Sequence, residues 1–214
     1  MTDNIVPRRG DLALRGYDEL PKHITREQYR AILNIAYKRM RDEDEYRARM
    51  GMRDAVMFRL LWETGGRVSD VCDMRYSDID VAGMLIKLRV RKTGKTTGIP
   101  IMDSTLLVFL EAYGKKWGKI GENGEIIDDN ILDIKRTTAF NTCREYGQLI
   151  GLHLHPHMFR HGVAVDMRME AVDLQTIADR LGHSDISTTA RYYAIMTPEM
   201  QKRNLEARGW TTKV

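Results

Sequence analysis

The chain has 214 residues, 43% hydrophobic and 30% charged, enough to bury a substantial core in one or two domains. Its 34 Lys and Arg against 30 Asp and Glu leave a net charge of +4 and a pI near 9.0, a mild balance that permits a polyanionic partner without demanding one. No apolar run approaches membrane-spanning length, no apolar signal core follows the N-terminal charges, and two lone cysteines, Cys72 and Cys143, make no disulfide framework; membrane-spanning and disulfide-scaffold classes are excluded, and a cytoplasmic, DNA-accessible setting is expected.

Residues 1–22 carry Pro7, Gly10, Gly16 and Pro21 with little periodicity and read as a leader or linker; residues 23–214 read as the folded domain. Thr25-Arg26-Glu27-Gln28 fits a capping box. Tyr29, Ile32, Leu33, Ala36, Tyr37 and Met40 follow it at helical spacing. A charged stretch, Arg41 to Arg49, separates this helix from a second over Met52 to Thr64. Gly65-Gly66 ends the second helix, because glycine tolerates the left-handed cap. Arg67 then stands on a turn past a buried helix, and Ser69 is placed to cap a short third helix.

Met84 to Arg91 alternates: Met84, Ile86, Leu88 and Val90 share one parity, and Lys87, Arg89 and Arg91 the other. That is a half-buried strand. Residues Thr93 to Gly98 make a turn, and Ile99-Pro100-Ile101 begins the return strand. Lys92 has the parity of the apolar face, and an inward lysine is costly unless it has a task or a partner. A short helix follows over Ser104 to Tyr113, then a weakly patterned, Gly-rich stretch over 114–134 that reads as a mobile loop. Thr138 to Ile150 is helical and Gly151 ends it; Pro156 precedes a helix carrying His157 through Met169. Asp173 caps Leu174–Leu181, with Gly182 as its stop, and a short helix starts around Ser187. Thr197-Pro198-Glu199 opens a last helix to about Arg208, with proline at the first helical position. The predicted fold is mainly α with a small antiparallel β-sheet near Met84–Ile101, an α+β domain.

The residues that carry chemistry gather in three short segments: Arg67 after the two glycines, His157-Met158-Phe159-Arg160-His161, and His183 followed nine residues later by Tyr192. His157 and Arg160 share one helix face. Two arginines, two histidines and a tyrosine suffice to attack a phosphodiester with a protein hydroxyl and no metal. The arginines give fixed, bidentate positive charge for the phosphate oxygens. Histidine moves protons near neutral pH, and a lysine can protonate the leaving oxygen. Two alternatives stay open on these grounds: Tyr193 beside Tyr192 as the nucleophile, and Lys95 beside Lys92 as the acid, although parity favours Lys92. His153, His155, His157 and His161 also resemble a metal cluster, but they alternate around a proline and no nearby Cys, Asp or Glu completes a ligand spacing.

These segments resemble the signature boxes of the tyrosine recombinase (integrase) family. Thr64-Gly65-Gly66-Arg67-Val68-Ser69-Asp70 resembles the first box; Pro156 to His161, then Leu181 to Thr189 and Tyr192, resemble the second. The family's hairpin lysine falls on Lys92. The resemblance runs over roughly residues 20–210. Gly66 stands where a bulky apolar residue is usual, and Asp70 where Glu is commoner; neither change removes a reactive group.

The resemblance implies the tyrosine recombinase catalytic-domain fold and strand cleavage without metal, ATP or other cofactor. It implies Arg67 and Arg160 as phosphate clamps, His157 and His183 as transition-state and proton-transfer groups, Lys92 as general acid, Tyr192 as nucleophile and Asp70 as a supporting acidic residue. Arg91 and Lys95 are expected to touch DNA. The implied partners are double-stranded DNA and three further copies in a homotetramer on paired sites, with the last helix docked on a neighbour. Residues 1–22 are too short for the N-terminal core-binding domain that family members usually carry, so a catalytic fragment or an unusually small recombinase is expected. The rivals are a type IB topoisomerase-like enzyme, a DNA-binding regulator that has lost catalysis, and a metal-dependent hydrolase.

Overall fold

A computed structural model describes residues 21–89, 94, 96–117, 121, 123, 130–183, 185–193 and 198–209. The helices are α1 (Arg26–Arg39), α2 (Glu45–Thr64), α3 (Val68–Cys72), α4 (Thr105–Trp117), α5 (Arg136–Leu149), α6 (Pro156–Met169), α7 (Leu174–Leu181), α8 (Ile186–Tyr193) and α9 (Pro198–Ala207). Between α3 and α4 the strands β1 (Ile79–Asp80), β2 (Leu85–Arg89) and β3 (Thr96–Pro100) form one antiparallel sheet in the order β1-β2-β3. The mainly helical class with a small antiparallel sheet is therefore as the sequence predicts.

α2 organises the molecule. Ala48, Met52, Ala55, Val56, Met57, Phe58, Leu60 and Leu61 are all buried, so this helix is apolar around most of its girth and is enclosed on several sides. α1, α4 and α6 pack on it. Phe58 stacks on Phe159 of α6 at 5.4 Å between ring centroids, and Tyr146 of α5 meets Phe58 edge-on at 4.8 Å. Such pairs add about 0.5–1.5 kcal/mol beyond area burial. A second, smaller cluster joins α6, α7 and α8 through Ala164, Val165, Ile177, Leu181 and Tyr193. Cys72 and Cys143 are free and buried, and burial pushes both thiols up, Cys72 to about 11.

Local signals set most boundaries. The Thr25 hydroxyl accepts from the Gln28 N–H at 3.2 Å, and the Gln28 carboxamide accepts from the Thr25 N–H at 2.9 Å, which is the capping box. Asp173 caps α7 by accepting from the Thr176 N–H at 2.9 Å. Gly65 and Gly182 end α2 and α7 with φ of 59° and 65°, a left-handed region that a side chain disfavours.

Elsewhere the structure differs. α2 begins at Glu45, capped by Asp44, so residues 45–49 of the charged stretch are the solvated first part of the helix and only residues up to 44 separate it from α1. Arg67, not Ser69, is the N-cap of α3; it has extended backbone and no side-chain cap, and Ser69 lies inside the helix. β1 was not anticipated, and β3 starts at Thr96 inside the expected turn. α4 runs on to Trp117. Within the expected mobile loop, Ile131 and Leu132 are buried, and the Ile131 N–H donates to the Met74 carbonyl at 2.8 Å; two apolar residues dock there on the frame. Among the described residues no helix is long and apolar enough to cross a membrane.

Candidate active site

The site forms where α2 ends. Thr64 turns its hydroxyl back to the Leu60 carbonyl at 2.7 Å and accepts from the Gly66 N–H at 3.0 Å, which shapes the corner carrying Arg67. The corner is braced from α7. The Arg180 guanidinium donates to the Glu63 backbone carbonyl, to Glu63 Oε1 at 3.2 Å and to the Pro100 carbonyl at 3.4 Å. Glu63 Oε1 also accepts from the Met102 N–H at 2.6 Å. One part-buried ion pair thus ties α2, α7 and the exit of β3 together. Sequence reading missed Arg180 and Glu63; they stand 117 residues apart, and no local pattern links them.

α6 brings the second set. Pro156 sits in its first turn, and His157 and Arg160 follow on one face. Arg160 is 5% exposed, and its Nη1 donates to the Gly65 carbonyl at 2.8 Å. Burial, and then the charge of Arg67, lower its pKa to about 10. Asp70 lies beneath Arg67, its Oδ2 3.9 Å from Arg67 Nη1. Arg67 Nη1 and Arg160 Nη2 are buried with no hydrogen-bond partner among the described residues.

The histidines border these arginines. His157 is at the exposed rim; burial, then the charge of Arg160, lowers its pKa, with Arg67 and Arg136 of α5 adding to the effect. His183 follows the left-handed Gly182, and its Nδ1 lies 2.8 Å from the hydroxyl of the fully buried Thr189. Its pKa is lowered to about 4 by burial, then by Arg160 and Arg67. Both rings therefore stay neutral at neutral pH and can pass a proton. Thr189 is a partner that sequence reading did not single out, although it stands in the quoted motif.

The structure brings Arg67, Asp70, His157, Arg160 and His183 together. The backbone of Tyr192 lies in α8; its side chain, like Lys92, Arg91 and Lys95, is outside the described residues. Tyr193 is 2% exposed, sits in the smaller apolar cluster, and its hydroxyl lies 2.5 Å from His161 Nδ1. It is a packing aromatic, and His161 is a hydrogen-bonded helix residue. Among the described residues no three His, Cys, Asp or Glu side chains gather as a metal-holding group.

The sequence pattern of the Phage integrase family matches residues 22–199. The chain belongs to the phage integrase family. Among curated relatives, Tyrosine recombinase XerA of Thermococcus onnurineus is 31% identical over 215 residues, covering 94% of this chain and 72% of that protein. A tyrosine recombinase of Pseudothermotoga lettingae is 32% identical over 149 residues, covering 69% of this chain and 51% of its own length. The chain thus spans between about half and three quarters of the length of these relatives. Solved structures share its fold: XerA recombinase at a TM-score of 0.68 and 20% identity, covering 89% of this chain and 66% of that one. The catalytic domain of bacteriophage HP1 integrase has a TM-score of 0.57 at 18% identity, covering 88% of this chain and 95% of that one.

Proposed function

We propose that residues 23–214 are the catalytic domain of a site-specific DNA recombinase that cuts and rejoins strands through a 3′-phosphotyrosyl link to Tyr192. Arg67 and Arg160 clamp the phosphate, His157 and His183 stabilise the transition state and move protons, Lys92 is the general acid, and Asp70 supports Arg67. The observation that carries the reading is the pair of guanidiniums. Two like charges are held side by side, each with a buried N–H that makes no hydrogen bond among the described residues, although Asp70 Oδ2 lies 3.9 Å from Arg67 Nη1, and Arg67 is a cause of the lowered Arg160 pKa. Such an arrangement is unfavourable until an anion with several oxygens enters, and a phosphate in a trigonal-bipyramidal transition state has the oxygens to take both.

The Tyr192 phenolic oxygen bonds to phosphorus as its proton passes to a base. The bond from phosphorus to the 5′ oxygen breaks, and that oxygen takes a proton and leaves as a hydroxyl. A 5′-hydroxyl from a partner strand then attacks phosphorus, and the tyrosine oxygen leaves and recovers its proton. The phosphodiester energy is kept in the covalent link, so the scheme uses neither ATP nor metal. Two exchanges pass through a four-way junction on double-stranded DNA, which calls for a homotetramer on paired sites; Arg91 and Lys95 contact backbone phosphates. Solved relatives in fold support DNA as the partner: XerH recombinase is bound to its difH substrate, and Tn1549 integrase is in complex with circular intermediate DNA. The recombinase names of the relatives favour strand exchange over supercoil relaxation. The reaction sets the protein at DNA in the cytoplasm.

α9 packs against α6 of its own chain, yet most of its residues are exposed. In the tetramer it docks on a neighbouring protomer, so truncation after Met196 weakens cooperative assembly on DNA more than it weakens the fold. The deciding experiment for the reaction is a nicked suicide substrate that traps the covalent adduct. Wild type and Tyr193→Phe form the adduct, and Tyr192→Phe does not; an adduct surviving Tyr192→Phe overturns the assignment.

A further inference from the structure

Among the described side chains of α8, those that are buried share one face. Ile186 is 43% exposed, and Ser187 and Thr188 are exposed too, whereas Thr189 is fully buried and Tyr193 is 2% exposed. Thr189 and Tyr193 are four residues apart and so stand one above the other on the helix. Each ends in a hydroxyl, and each hydroxyl meets the Nδ1 of a histidine from another segment. Thr189 Oγ1 is 2.8 Å from His183 Nδ1, and the Tyr193 phenol oxygen is 2.5 Å from His161 Nδ1. His161 follows Arg160 directly on α6 and comes four residues after His157.

We propose that the Tyr193 hydroxyl and His161 form a latch that sets the rotation and axial position of α8, and thereby aligns Tyr192 with the phosphate held by Arg67 and Arg160. Tyr193 and His161 are positioning residues; they act through Tyr192 and not on the reacting atoms. The proposal rests on the recombinase reading above. Ala164, Val165, Ile177 and Leu181 share a cluster with the Tyr193 ring, but apolar burial has no direction and resists separation better than it resists rotation. A hydrogen bond has a preferred distance and angle, and two of them one turn apart fix a helix about its axis. Tyr192 is the residue just before the second anchor, so a small turn of α8 moves it directly. Misplacement of about 1 Å in a reacting group is enough to slow chemistry by about a hundredfold.

The latch joins the nucleophile helix to the helix that carries His157 and Arg160. Tyr192 is thereby indexed to His157, Arg160 and His183 within one three-helix corner, α6, α7 and α8. The second bond, at Thr189, adjoins His183, so nucleophile and proton-transfer group are indexed to each other as well.

The test is single-turnover cleavage of a nicked suicide substrate at saturating enzyme, with DNA affinity and thermal melting measured on the same variants. Wild type forms the adduct and Tyr192→Phe abolishes it; absence of adduct in wild type overturns the recombinase reading on which the latch depends. Tyr193→Phe keeps the ring, so DNA affinity stays within about twofold, while the cleavage rate falls about tenfold, the loss of one well-formed hydrogen bond. His161→Phe falls at least as far and also melts earlier, since it takes the imidazole partner away from a buried phenol hydroxyl. The double variant His161→Phe with Tyr193→Phe separates the roles. It regains melting temperature because both polar partners are gone, yet its rate stays down. Recovery of rate along with stability shows a merely structural pair and overturns the latch. So does an unchanged rate in Tyr193→Phe, which leaves the recombinase reading standing. Loss of adduct in Tyr193→Phe but not in Tyr192→Phe overturns both.

Discussion

The two hydrophobic clusters of this protein are built differently. The larger, around α2, is aromatic and aliphatic, with Phe58, Phe159 and Tyr146 in direct ring contact. The smaller, between α6, α7 and α8, has Ala164, Val165, Ile177, Leu181 and Tyr193 as its buried members among the described residues. It is bordered by Arg160, His161 and His183, all with lowered pKa values caused first by burial. The first region gains free energy from burial; the second spends some of it on charges held out of water. The lesson is that the corner bearing the chemistry is stable only because the frame is, a division common in proteins whose sites carry strain.

The largest effect that should separate the regions falls on the frame. Phe58→Ala opens a cavity between rings that cannot collapse easily and lowers stability by about 3–5 kcal/mol. Denaturant unfolding measures it, and activity per folded molecule should persist. If this variant instead keeps its stability while cleavage fails, the frame is not separate from the site. Arg160→Met probes the converse. Its rate should fall about 10²–10³-fold, the scale of a lost transition-state donor, while stability stays within about 1 kcal/mol, because the lost Gly65 bond is offset by removal of a buried charge. A stability loss as large as that of Phe58→Ala, with cleavage intact, would break the comparison.

Legibility in sequence followed the same division. Caps and stops were readable because they act over a few residues: Thr25 with Gln28, Gly65, Asp173 and Gly182 all do what their positions indicate. Arg67, His157, Arg160 and His183 were readable because they stand in compact segments that resemble a known family. What escaped depends on distance in the chain. Arg180 on Glu63, and Tyr193 on His161, are partnerships between segments that no periodicity connects. The first part of α2 escaped for another reason. Its charged residues face water, and only Ala48 among residues 45–49 is buried, so the helical stripe is too thin to see without the partner it packs on. β1 is two residues long, too short for alternation to register.

The smallest effect near neutral pH, and the one with the sharpest sign, is in proton linkage. His161 is lowered to about 4 by burial, then by His157, Arg160, His155 and His23, with the Tyr193 phenol on its Nδ1; His183 is lowered to about 4 as well. An unfolded histidine titrates near 6.5. Above that value both states are neutral and linkage is silent. Below it the unfolded chain takes up protons that the folded site refuses, so stability falls as pH drops from about 6.5 towards 4. The frame has the opposite tendency. Asp54, buried between Arg53 and the Tyr146 hydroxyl, has its pKa raised chiefly by burial. Its folded state binds a proton more readily than the unfolded chain does, so this residue adds stability as pH falls through its raised value. Melting temperature followed from pH 7 to pH 5 should therefore decline, with a shallower decline in His161→Gln. Equal slopes in the two proteins would mean that the corner does not hold its histidines as tightly as the packing requires.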